Sequence, residues 1–135
     1  MPVYKITPVA KPRMTQQDKW LRPPRPAVAK YWAFKDQVRG LEMHLPIAYA
    51  HVTFHMPMPK SWPRKKKVAM LRAPHQATPD LDNLLKALAD TIYEDDKIIW
   101  DVWATKVWAY EGFIVIKWAL DGRPHPTLQA LGGVT

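Results

Sequence analysis

Cysteine is absent from the 135 residues, which removes disulfides, zinc–thiolate centres and thiol nucleophiles together. No apolar run approaches the roughly 18 residues that a membrane span requires, and no signal-like apolar stretch follows the first residues. A cytoplasmic location is the expectation. Proline is missing from Asp80 to Gly122, although twelve of the 14 prolines precede residue 80. The first part is therefore expected to be strands and loops punctuated by proline, and the later part uninterrupted elements. Acids are scarce where proline is plentiful. Residues 1–79 hold 15 Lys/Arg against only Asp18, Asp36 and Glu42, whereas residues 80–135 hold five against nine acids.

Hydrophobic residues make up 47% and charged residues 24%, a balance that supports one folded domain spanning residues 1–135 rather than a disordered chain. No internal repeat is visible. The net charge of +8 suits a polyanionic partner, because binding would release condensed counterions. A generic basic protein would show the same total. The clustering of seven acids between Asp80 and Asp101 is the more informative feature.

Hydropathy patterning gives the elements. Val3 to Ile6 reads as a short strand, and residues 8–26, rich in Pro and Arg, as an extended loop. Tyr31, Phe34, Val38 and Leu41 recur at helical steps, predicting a helix from Ala27 to about Met43 that Pro46 ends. From Ile47 to Met56 the alternation predicts a strand with one buried side: Ala48, Ala50, Val52, Phe54 and Met56 inward, Tyr49, His51, Thr53 and His55 outward. Lys60 to Lys67 reads as a basic loop. Asp82 to Tyr93 is the clearest helix, with Leu84, Leu85, Leu88 and Ile92 as its stripe. Ile98–Ala109 and Phe113–Leu120 read as two strands joined near Glu111-Gly112 in a hairpin, and the tail from Asp121 as loose. The expected fold is a small α+β domain, with a mixed sheet and two main helices.

Asp82, Lys86 and Asp90 are spaced by four and so share a helix face, with Cβ atoms about 5–6 Å apart. Asp80 stands just before the first turn, and Asp95-Asp96 follows the helix. Carboxylates gathered with a lysine suit phosphodiester hydrolysis, in which Mg²⁺ held by a few acids activates water and relieves charge on oxygen. Each piece also has a structural explanation. Asp80 can cap the helix, Asp82 can answer its dipole, and Asp82, Lys86 and Asp90 can form a solvated ladder. Asp95-Asp96 can be an ordinary turn.

The string Asp80-Leu81-Asp82-Asn83-Leu84-x-Lys86-Ala87, then Asp90, then Asp95-Asp96 before an apolar strand, resembles the signature of the RusA-type Holliday-junction resolvases. His55-Met56-Pro57 at a strand end ahead of a basic stretch is similar too, so the likeness runs from about Ile47 to Val107. Where that family often has a short Arg-rich stretch before the core, this chain runs from Pro57 to Pro79. The resemblance implies that Asp80, Asp82 and Asp96 are catalytic metal ligands and that Lys86 is the catalytic lysine. It also implies Mg²⁺ dependence, with Mn²⁺ as a substitute, a homodimer, branched four-way DNA as substrate, and a setting in recombination and repair, often in phages.

Lys60, Arg64, Lys65, Lys66, Lys67 and Arg72 are candidate phosphate contacts, and Trp62 among them is a candidate for stacking on bases. A solvated charge run with Trp62 folded back is the alternative. Most of the seven tryptophans are expected in the core or a dimer interface. Asp101 is a candidate outer ligand, and His51 and His55 are expected as surface histidines. A non-catalytic DNA-binding or architectural protein is the rival reading, and a nuclease of other branched substrates or RNA a third.

Overall fold

Residues 2–118 are described by the computed structural model. The expected tail from Asp121 lies outside them. Strand β1 (Val3–Tyr4) leads into an extended segment containing a 3-10 turn at Gln16–Lys19. Helix α1 (Pro26–Gly40) starts with proline in its first turn, where the missing N–H costs nothing. It buries Val28, Tyr31, Phe34 and Val38, as the spacing predicts. The helix stops before Met43 because Gly40 is a poor helix former and Glu42 takes φ 51°, outside the helical region.

Strand β2 (Ala50–Pro57) begins three residues later than the alternation suggests, since Tyr49 has φ 59° and cannot continue a strand. Ala50, Val52, Phe54 and Met56 are buried as expected. His51 is buried as well, contrary to its expected surface place, with Nε2 3.0 Å from the Thr105 hydroxyl. A central strand has neighbours on both sides, and they cover its second face.

The expected basic loop is partly a helix, α2 (Arg64–Met70), opened by Pro63 at the cap and burying none of its residues. Helix α3 (Leu81–Ile92) matches its prediction to within a residue at each end. Its buried face is Leu84, Ala87, Leu88 and Ala89, while Leu85 and Ile92 are only half-buried. A 3-10 turn (Asp96–Ile98) replaces the expected start of the next strand, which is β3 (Val102–Ala109); β4 is Phe113–Trp118.

The sheet order is β1-β4-β2-β3, so the expected hairpin is not one. β2 lies between the two strands, parallel to β3 and antiparallel to β4. Tyr110 to Gly112 therefore step across the end of β2, a span of about two strand spacings, ~10 Å. Gly112 is required there: a Cβ would stand 2.7 Å from the Thr7 Cα. A short link with a glycine reads as a turn in sequence, and nothing local reveals that a third strand separates its arms.

One core joins α1, α3 and the inward face of the sheet through Phe34, Phe54, Leu84, Leu88 and Ile114. No tryptophan is in it: Trp20, Trp32, Trp100 and Trp118 are exposed and the rest half-buried, which leaves the interface half of the expectation.

Candidate active site

Helix α3 is fixed at both ends before any acid is considered. At its start, Lys106 reaches from β3 and its ammonium donates to the carbonyls of Ala77 and Pro79, at 2.5 and 2.7 Å. At its end, the Tyr93 hydroxyl donates to the Leu45 carbonyl. Between them Leu84 and Leu88 are fully buried. Asp82 and Lys86 on the exposed face, with Leu85 and Ala89 at its margin, then form one side of a pocket of about 270 Å³. Asp96, Ile99 and Val102 form its other wall. The chain after α3 thus folds back along the helix and brings Asp96 to Asp82 and Lys86.

Purely structural roles for these acids fit the geometry poorly. The ladder is not formed: Lys86 makes no ion pair with Asp82 or Asp90, because Asp90 pairs with Lys11 at 2.6 Å. Asp80 occupies the N-cap position, yet its side chain accepts no capping hydrogen bond. In the turn, Asp95 takes the structural part, accepting from the Lys97 N–H at 3.1 Å and pairing with its ammonium at 3.3 Å. Asp80, Asp82 and Asp96 are left with neither a hydrogen bond nor an ion pair from any described side chain.

Asp82, Asp96 and Lys86 line the pocket and Asp80 does not. No group of three His, Asp or Glu side chains stands close enough to hold a metal among the described residues. Carboxylates without a cation repel one another, which favours an open arrangement. The donor set still fits Mg²⁺. Asp82 and Asp96 offer hard oxygens that no described side chain binds directly, and Mg²⁺ characteristically takes one or two carboxylates and completes its shell with water and phosphate oxygens.

Two functional neighbours escape the sequence reading. Lys11 bonds Asp90, and the charge of Asp96 joins that of Asp90 in raising the Lys11 pKa, the Asp90 hydrogen bond being the largest cause and burial opposing it. Seventy-nine residues separate Lys11 from Asp90, so no spacing could pair them. Lys106 had a signal: it falls on the inward register of β3, with Val102 and Ala104, where a lysine needs a partner.

The basic segment lies elsewhere. Trp62 packs on Trp108 with ring centroids 4.7 Å apart, and the Lys66 ammonium sits 4.2 Å over the Trp62 ring. Trp108 stands six residues beyond Val102 on β3, about 20 Å along the strand. Lys60, Arg64, Lys65, Lys66, Lys67 and Arg72 line neither the acidic pocket nor its immediate flank. Residues 72–75 instead run along the outer edge of β3, with the Arg72 N–H donating to the Trp108 carbonyl and the His75 N–H to that of Lys106. The Arg72 charge and, more strongly, burial hold His55 below the usual histidine range; burial and the Lys106 charge do the same for His75.

A family model described as endodeoxyribonuclease RusA matches residues 4–118. The chain belongs to the RusA family. The match includes every element described above except Val3 of β1, and both halves of the acidic pocket. Membership makes the chain a nuclease of the endodeoxyribonuclease class, as the resemblance of the Asp80–Ala87 string implies. The small α+β domain with its mixed sheet agrees with the expected RusA-like fold. No curated protein and no solved structure matches the chain. Among the described residues, no helix is long and apolar enough to cross a membrane.

Proposed function

We propose that this RusA-family nuclease is a homodimeric, Mg²⁺-dependent enzyme that resolves four-way DNA junctions by paired nicks. The observation that carries the reading is the convergence of Asp82, Asp96 and Lys86 on one pocket, with carboxylates that no described side chain hydrogen-bonds or ion-pairs. Junction selectivity and the role in recombination and repair rest on the family. A dimer suits the near two-fold symmetry of a four-way junction, since resolution needs two matched cuts.

Asp82 and Asp96 would hold the metal, with Asp80 as a further ligand at the helix start. Mg²⁺ bound there supplies an activated water and offsets charge on the phosphate oxygens. Lys86 directs its ammonium to the scissile phosphate. Lys11 neutralises Asp90 on the same helix and so limits the repulsion a phosphate meets on approach. Lys106 holds the chain entering α3, and with it the position of Asp80.

The test incubates a synthetic four-way junction, a linear duplex, a flap, a fork and an RNA duplex with the protein, in Mg²⁺ or in EDTA. The expected result is symmetric nicking of the junction in Mg²⁺ alone. Binding to all DNA forms without metal-dependent nicking would instead identify an architectural protein. Stronger cutting of flaps or RNA would move the substrate class.

A further inference from the structure

Next to the acidic pocket lies a second groove of about 250 Å³, lined by Lys11, Pro12, Arg13, Asn83 and Lys86. Lys86 belongs to both, so the two spaces share a wall. Three cations face this groove, and no acid lines it. Lys86 and Arg13 form no ion pair with a described residue. Lys11 is already paired with Asp90 at 2.6 Å, so two unpaired like charges, Arg13 and Lys86, meet here, and such an arrangement is stabilised when an anion enters.

The groove is also held in shape. The Lys11 N–H donates to the Asn83 carbonyl, tying the extended N-terminal segment to the first turn of α3. The Arg13 carbonyl accepts from Arg25 Nη2 at 2.9 Å. Arg25 in turn grips buried Asp18 with both of its other bonds, Nε to Oδ1 and Nη2 to Oδ2, each 2.8 Å. The Arg25 guanidinium beside it, helped by the Thr15 N–H, holds the Asp18 carboxyl well below the usual carboxylate range. A segment that reads as an extended loop is therefore a pinned wall, which lowers the ordering cost of gripping a ligand.

We infer that this groove is a phosphate subsite, gripping the cut DNA strand at the phosphodiester next to the scissile one. Lys11 and Arg13 contact its non-bridging oxygens while Lys86 spans the two positions. The inference rests on the proposed nuclease reading for which phosphate is held, but not for the binding of phosphate itself.

Arg13→Ala is the variant of choice, because the atom of Arg13 that the fold uses is its carbonyl oxygen, which the substitution keeps. Junction affinity is measured in EDTA over a salt series. The expected result is a loss of roughly tenfold, and a salt slope smaller by about one, as when a single phosphate is no longer neutralised. Arg13→Lys restores most of the slope, while Arg39→Ala, at the far end of α1, leaves it unchanged. Neutral methylphosphonates placed one at a time then locate the position gripped. Replacing the neighbouring phosphate weakens the wild type and has no further effect on Arg13→Ala. An unchanged slope in Arg13→Ala, or an equal loss in Arg39→Ala, overturns the subsite. If the slope falls as expected but no metal-dependent cleavage occurs with the wild type, the subsite stands and the nuclease reading falls.

Discussion

Two charged segments of this chain, residues 60–72 and residues 80–96, meet very different fates in the fold. The basic one forms a short helix that buries nothing and is attached through Trp62 on Trp108. The acidic one is built on a helix with fully buried Leu84 and Leu88, and is tied by Lys106 and Tyr93 at its ends. Attraction of a polyanion tolerates loose, exposed charge, because it acts over about 8–10 Å at ordinary salt. Chemistry at a phosphate does not, since small displacements of a catalytic group are costly in rate. The difference in anchoring therefore separates a surface for attraction from a site for reaction.

The sharpest way to break that contrast is at the pocket. Asp82→Asn and Asp96→Asn are each expected to lower cleavage by at least about 100-fold in a single-turnover assay, with junction affinity retained or raised as a negative charge is removed. Cutting at the wild-type rate by either variant would dismiss the pocket. Next in size is the anchor: Leu88→Ala should cost about 2–5 kcal/mol in denaturant unfolding, as large core truncations do. A loss below about 1 kcal/mol would mean that the helix is not held by its apolar face.

The basic segment should respond in binding alone. The triple change Lys65→Gln, Lys66→Gln and Lys67→Gln is expected to reduce the salt slope by up to about 0.9 for each phosphate left without its lysine, while cleavage at saturating protein stays near normal. A fall in the saturated rate with unchanged affinity would place those lysines in the reaction instead. Smallest is a pH effect. His55 and His75 are held neutral by burial, so the fold binds fewer protons there than the unfolded chain. That contribution is complete above their ordinary pKa of about 6.5 and is lost as pH falls through the lowered folded values. Asp18 adds stability above its ordinary range and loses it in strong acid. The melting temperature should therefore drop between pH 7.5 and 5.5, and less steeply in His75→Gln. A flat profile would show that neither histidine is coupled to folding.

Local pattern was a good guide wherever one residue's environment depended on its near neighbours. The helix over Leu81–Ile92 and the inward face of β2 follow from periodicity, and the acids of α3 from a string of eight residues. Pattern failed where a backbone twist intervened, at Tyr49 and Glu42, and at α2, a seven-residue helix with no buried face to leave a periodic signal. The tryptophans stand outside the core, because aromatic content by itself does not say which surface a ring will face.

The sequence by itself determined α1, α3, the strands, the uneven charge and the acidic string, because these arise from residues a few positions apart. Tertiary structure alone decided that β2 enters between β3 and β4, that Lys11 takes Asp90, and that Asp96 returns to face Asp82 and Lys86. Each of these depends on packing between segments distant in the chain. Their partners are chosen by the shape and charge left exposed once the core has closed.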